Sequence, residues 1–201
     1  GMRMKAFVVD LGKCNGCYAC QLACKDETVG NEWPPYSKPQ PDTGQFWLKM
    51  FEKTHGQVPK VRVEYRPQLC RHCGNAPCMD AAPDAVYRRE DGLVIIDPAK
   101  AAGHSELVDA CPYGAIYWNK ELGLAQKCTG CYDRRQQGLD PACVAACINR
   151  SLQWGKTDGR CDETTLHRWL PAVLPEPGKT GPRTKINCAI LPREEQDDDS
   201  L

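Results

Sequence analysis

Short apolar runs separated by cysteine loops and turn residues predict a series of small elements. Lys5-Ala-Phe-Val-Val-Asp-Leu11 predicts a short strand leading into the first cysteine loop, and Ala19 to Glu27 a short helix after it. Phe46 to Lys53 and Lys60 to Tyr65 predict a hairpin joined through Thr54-His-Gly-Gln57. A clearer hairpin is expected from Ala85 to Arg89 and Leu93 to Asp97, turning at Glu90-Asp-Gly92. Ala115 to Trp118 and Gly123 to Gln126 predict a third.

Composition changes this picture at one point. At 201 residues the chain can bury a real core, yet it carries fourteen cysteines, sixteen prolines and only three phenylalanines. Disulfides or metal must therefore supplement apolar packing. The 26 basic and 26 acidic residues cancel, which removes the footprint of a general nucleic-acid binder. No stretch approaches the roughly 20 apolar residues of a membrane span, and no secretory signal layout is present. Gly1 ahead of Met2 reads as an expression scar. The expected location is cytoplasmic, the alternative being export with a partner that carries the signal.

Twelve cysteines fall into groups: Cys14, Cys17, Cys20 and Cys24, spaced C-x2-C-x2-C-x3-C; Cys70, Cys73 and Cys78; Cys111, followed by Pro112; and Cys128, Cys131, Cys143 and Cys147. A tight loop can wrap three corners of a cubane, and a distant cysteine must meet the fourth. In two-cluster ferredoxins the last cysteine of each run serves the other cluster. That rule assigns Cys14, Cys17, Cys20 and Cys147 to one [4Fe–4S] cluster and Cys24, Cys128, Cys131 and Cys143 to a second.

The same rule demands a fourth ligand after Cys78 and three before Cys111. Those positions hold Ala82, Ala101, His104 and Leu107. Random loss of cysteines would leave two half-sites more often than one clean gap. The pattern predicts deletion of one cluster, with Cys70, Cys73, Cys78 and Cys111 remaining as a complete set and three clusters in all. A disulfide framework is disfavoured by the missing signal and by C-x2-C neighbours being poor partners within one turn. Structural zinc generally uses paired C-x2-C units and ranks second. Cys161 and Cys188 match no run and read as free thiols. His72 is expected to pack or hydrogen-bond beside a cluster, His104 to be a poor lone ligand, and His55 and His167 to lie on the surface.

The expected fold class is α+β, with two nested ferredoxin-like modules, a proline-rich insertion and a C-terminal arm. Residues 2–30 and 113–155 form the outer module and 66–112 the inner one. Residues 31–65 are too long for a simple connection and suggest a hairpin that docks a partner. Residues 156–201 form an extended arm with an acidic tip at Glu194-Glu-Gln-Asp-Asp-Asp199.

Four cysteine groups in two interleaved modules resemble the electron-transfer subunits of the dimethyl sulfoxide reductase superfamily of molybdenum and tungsten enzymes. The likeness covers about residues 4–155. Asn31-Glu-Trp-Pro34, Tyr65-Arg-Pro67, Cys70-Arg-His-Cys-Gly-Asn-Ala-Pro-Cys78, Arg89-Glu-Asp-Gly92, Cys111-Pro-Tyr-Gly114, Tyr117-Trp-Asn119 and Ala125-Gln-Lys-Cys-Thr129 carry a closer one. They are similar to the small subunits of pyrogallol–phloroglucinol transhydroxylase and its catechol-dehydroxylase relatives. That small subunit also lacks one cluster, and carries a further C-terminal β-sandwich for which this chain is too short.

The resemblance implies a non-catalytic subunit whose three [4Fe–4S] clusters relay single electrons to or from a large bis-pterin molybdenum or tungsten subunit acting on a polyhydroxylated aromatic. A soluble or membrane donor would feed it. No acid–base constellation or substrate pocket is legible in the chain. The competing expectations are a free ferredoxin-like carrier and a scaffold whose clusters serve only as cross-links.

Overall fold

A computed structural model of the chain describes residues 5–28, 46–157 and 177–186. Strand β1 (Ala6–Val9) is buried at every position and forms the middle of a three-stranded sheet. On one side β8 (Leu152–Gly155) runs antiparallel, with Ala6 opposite Gly155. On the other, β9 (Lys185–Ile186) runs parallel, with Val8 opposite Lys185. The strand ends before the expected Leu11 because Asp10 turns the chain: its carboxylate accepts from the Gly12 N–H at 3.0 Å, and Leu11–Lys13 form a 3-10 turn.

Helix α1 (Ala19–Thr28) follows, with Cys20 and Cys24 on its buried side. Four brief helices accompany the later cysteine runs: α2 (Pro77–Ala81), α3 (Glu106–Ala110), α4 (Tyr132–Gln136) and α5 (Ala142–Ala145). α1 packs on α5 and α2 on α3. The first and last cysteine runs are thereby brought together, with the middle of the chain enclosed between them in sequence.

The longest hairpin differs from expectation. β2 (Lys49–Gln57) and β3 (Lys60–Gln68) pair throughout, so Thr54 to Gln57 are ladder residues rather than the turn. The turn is Val58-Pro59, whose peptide bond is cis. Proline has no N–H to give to a ladder, which suits it to that end position. Gly56 adopts φ +81°, and a Cβ there would stand 2.2 Å from the Lys60 carbonyl oxygen. Only the base of the hairpin is buried, through Met50, Arg66, Pro67 and Gln68, while its far half is exposed on both strands.

The two remaining hairpins lie where the alternation placed them. β4 (Val86–Arg88) pairs with β5 (Val94–Ile96) across the turn at residues 90–92, and β6 (Tyr117–Asn119) pairs with β7 (Leu124–Gln126). One contiguous core joins Phe7, Leu48, Met50, Leu69, Val86, Leu107, Ile116 and Leu152 with Cys20, Cys24, Cys70, Cys73, Cys78, Cys128 and Cys143. Cysteine thus occupies positions that leucine or valine would fill in an ordinary core of this size.

Within the expected arm, residues 177–186 are seated on the fold as α6 (Pro177–Thr180) and β9. Gly74 and Asn75 N–H groups donate to the carbonyls of Gly181 and Thr180 at 2.7 and 2.8 Å, and the Arg183 and Thr184 N–H groups donate to the Arg71 carbonyl. Most of the expected insertion before the hairpin, together with Cys161, His167, Cys188 and the acidic tip, lies outside the described residues. Among the described residues no helix is long and apolar enough to cross a membrane.

Candidate cluster-binding site

The C-x2-C steps that open three of the cysteine runs share one backbone device. Their third residues, Gly16, His72 and Gly130, all adopt left-handed φ, at +73°, +44° and +66°. This conformation curls the loop and aims amide hydrogens at the sulfur just passed. The His72 N–H donates to Cys70 Sγ and the Gly130 N–H to Cys128 Sγ, both at 3.3 Å. The distant cysteines receive the same treatment, from Ala115 to Cys111 and from Leu152 to Cys147, each at 3.4 Å. Such bonds favour sulfur carrying negative charge.

Glycine at two of these positions also serves packing. A Cβ on Gly16 would lie 2.4 Å from the Tyr65 ring at the base of the long hairpin, and one on Gly130 would lie 2.7 Å from Leu93. The hairpin base covers the first loop further through Met50, whose sulfur lies 3.6 Å from Cys20 Sγ, and through Glu52, which accepts from the Tyr18 hydroxyl at 2.7 Å.

The structure sorts the twelve described cysteines by neighbourhood. Cys14, Cys17, Cys20 and Cys147 line one small cleft with Met50 and Pro67. Cys24, remote in sequence from the rest of its group, feels Cys131 most strongly among charged neighbours, and Cys143 feels Cys128, Cys24 and Cys131. Cys73 feels Cys70, Cys111 and Cys78. Neighbouring groups lie within electrostatic reach of one another: Cys24 and Cys143 also sense Cys20, and Cys128 senses Cys70.

Burial pushes the Cys20, Cys24 and Cys73 thiols up to about 12 and that of Cys78 to about 11, with neighbouring thiols adding to the shift in each case. Cys128 and Cys143, deeper still, are pushed well above the ordinary thiol range, again by burial first. Thiolate is the ligand form, so metal must displace these protons, and binding is coupled to their release. Among the described residues no three His, Cys, Asp or Glu groups close tightly enough around one point to hold a single ion. Thiolates around a cubane stand wider apart than the ligands of one ion, and the four-cysteine sets with their inward N–H groups fit that larger body.

The gap in the cysteine pattern is filled, not hollow. Ala82, Ala101 and Leu107 are all buried, and the last two are completely inaccessible. Successive bonds from His104 N to the Ala101 carbonyl and from Leu107 N to the His104 carbonyl curl this segment in steps of three. His104 stays at the edge, pairing with Asp84 at 3.5 Å and with Glu106 at 2.6 Å. Asp84 lies two residues beyond Ala82, which places the two halves of the gap side by side.

His72 is buried beside Cys70, and its Nδ1 accepts from the Val94 N–H at 3.2 Å. The proton of the neutral ring therefore sits on Nε2. Burial, then the charge of Lys127, holds its pKa well below the ordinary imidazole value. His55 lies on the exposed hairpin, paired with Glu64 at 3.2 Å. Two groups carry no signal of their own in the sequence: Lys127, a buried cation preceding Cys128, and Thr184, whose hydroxyl donates to the Cys70 carbonyl at 2.8 Å.

Residues 61–157 match the family model described as a 4Fe-4S dicluster domain. The small subunit of pyrogallol hydroxytransferase from Pelobacter acidigallici is 46% identical over 187 residues, covering 90% of this chain and 68% of that one. The B subunit of the anaerobic dimethyl sulfoxide reductase of Escherichia coli K12 is 33% identical over 201 residues, covering 92% and 87%. The chain belongs to the iron–sulfur electron-transfer subunits of the dimethyl sulfoxide reductase family. Similarity extends to the beta subunit of selenate reductase from Thauera selenatis, 30% identical over 223 residues and covering 79% of this chain and 68% of that one. Members of this family are small electron-transfer subunits of oxidoreductase complexes built around molybdopterin, and [4Fe–4S] clusters are the cofactor of the matched domain.

Proposed function

We propose that this chain is the non-catalytic relay of an enzyme complex of two or more subunits, holding three [4Fe–4S] clusters in a row. Cys14, Cys17, Cys20 and Cys147 would hold one; Cys24, Cys128, Cys131 and Cys143 the second; and Cys70, Cys73, Cys78 and Cys111 the third. The contiguity of the three sets carries the reading. Cys20 and Cys24 belong to different sets yet sit one turn apart on α1, about 6 Å along the helix axis. Clusters at such neighbouring sets are close enough for an electron to pass without any side-chain movement. The chain's own task is then to hold each cubane, shield it from water and fix its potential.

The catalytic partner would carry a bis-pterin molybdenum or tungsten centre and act on a polyhydroxylated aromatic ring. Two features support it: the pyrogallol hydroxytransferase small subunit among the relatives, and the quoted segments from Asn31 to Thr129 that resemble that group. Exposed Cys17 makes the first set the one nearest the surface and the natural port to the partner. The β2–β3 hairpin is the proposed docking element. A two-stranded ribbon is marginal on its own in water, and this one exposes Val58, Val61 and Val63 near its tip.

Anaerobic co-expression with a large molybdopterin subunit, followed by metal analysis of the co-purified complex, tests the reading. About twelve irons per chain are expected, together with molybdenum or tungsten in the partner. Val58→Asp with Val61→Asp should weaken the association without loss of iron. A monomer that retains all its iron and exchanges electrons with soluble enzymes, with no affinity for such a subunit, would instead favour the free-carrier reading.

A further inference from the structure

Lys127 is a cation in the wrong place for an ordinary lysine. It is 3% exposed, and its ammonium donates to two neutral acceptors, the Val94 and Cys128 carbonyls. Among the described residues no carboxylate pairs with it. A buried ammonium is expected to have an anionic partner, because hydrogen bonds to carbonyls recover only part of its lost hydration.

The position of Lys127 is imposed from two sides. Val94 N–H is taken by His72 Nδ1 from the Cys70 loop, while the Val94 carbonyl is taken by Lys127 from the Cys128 loop. One residue of β5 therefore fixes the ammonium between the second and third cysteine sets. Its charge reaches sulfurs of the third set. Lys127 is the largest influence opposing burial at Cys78, and it acts in the same sense at Cys111.

We propose that Lys127 is a built-in counter-charge of the cluster held by Cys70, Cys73, Cys78 and Cys111, and that it raises the reduction potential of that cluster. The inference rests on the three-set relay reading. A cubane with four thiolates is anionic when oxidised and gains one further negative charge when reduced. A fixed cation nearby stabilises the reduced form more. On reduction one electron enters from the donor, no bond forms or breaks, and Lys127 keeps its proton. It is a positioning residue that acts through the field at the cluster, without ligating it.

The test is an EPR-monitored potentiometric titration of the anaerobically prepared full chain, with dithionite as reductant. Wild type is compared with Lys127→Met and Lys127→Arg. Cys78→Ser identifies which signal belongs to the third set. The iron count of wild type is measured first: a chain without a cluster at the Cys70 set overturns the relay reading itself, independently of any variant. Given that cluster, Lys127→Met is expected to lower its potential while the Cys14-set potential stays, and Lys127→Arg to restore it. Loss of that one cluster in Lys127→Met, with retention in Lys127→Arg, supports the same role. Unchanged potential in Lys127→Met overturns the proposal. So does loss of the cluster in both variants, which would make the shape of lysine, not its charge, the requirement.

Discussion

The hydroxyl of Thr184 donates to the carbonyl of Cys70 at 2.8 Å across 114 residues of chain. It belongs to a larger strap: Arg71 Nη1 donates back to the Thr184 carbonyl at 2.6 Å, and the Tyr113 hydroxyl meets Thr180 Oγ1 at 2.7 Å. The strap closes over both halves of the third cysteine set, the Cys70 loop and the turn after Cys111. Thr184→Ala should cost about 1 kcal/mol by removing one bond from a buried carbonyl. Iron release to a chelator should then accelerate for about a third of the total, with the other two sets holding. Uniform acceleration of all the iron would mean that the strap supports the whole fold.

Crossed ligation makes a distant demand. Cys24→Ser is expected to remove or convert the cluster of Cys128, Cys131 and Cys143, whereas Cys147→Ser should damage that of Cys14, Cys17 and Cys20. EPR of each reduced variant distinguishes them. Damage in Cys24→Ser confined to the Cys14 set would show each run serving its own cluster.

Leu107 fills space by packing at a position where the spacing rule calls for a ligand. It is fully buried against the core, so Leu107→Ala should destabilise the inner part of the chain by roughly 2–5 kcal/mol. Thermal loss of the cluster absorbance should shift to lower temperature, with the iron count of the freshly prepared protein unchanged. A neutral result would show that the gap collapses freely on truncation.

His104 gives the gap a pH signature. A hydrogen bond to Glu106, and then the charge of Asp84, raises its pKa, and the same contact with His104 lowers that of Glu106. A raised histidine value means the folded state binds the proton more tightly. The contribution is full below the unfolded histidine value of about 6.5 and fades as pH rises through the folded one. The depressed Glu106 contribution is present above its unfolded value and fades as pH falls through its folded one. The difference in stability between wild type and His104→Gln should therefore be largest in mildly acidic solution and shrink towards alkaline pH, as read by chelator-induced unfolding across that range. A difference that grows with pH would contradict the pairing.

The cysteine spacing made the candidate site legible because a cubane imposes its own geometry on the loops around it, whatever the rest of the core does. Cys14, Cys17, Cys20 and Cys147 could be grouped across more than a hundred residues for that reason, and they line one cleft. The turn of the long hairpin was not legible at Thr54 to Gln57. Gly56 resembles a turn residue in sequence, but its left-handed backbone sits inside the ladder, and Val58-Pro59 closes the ribbon. Lys127 and Thr184 escaped for another reason. Their roles depend on Val94 and Cys70 meeting them from remote parts of the chain, and no local pattern encodes such meetings.

The central place of β1 has a consequence for biogenesis. Both of its sheet neighbours, Leu152–Gly155 and Lys185–Ile186, are synthesised only after the last of the four cysteine groups. Until then its apolar edge has nothing to pair with, and contacts of such long sequence separation form slowly. The nascent chain therefore waits, unpaired and with most of its thiols already exposed to oxidants, for the residues that close it. Delivery of iron and sulfide is therefore best suited to a chain in which both neighbours of Ala6–Val9 have already been made.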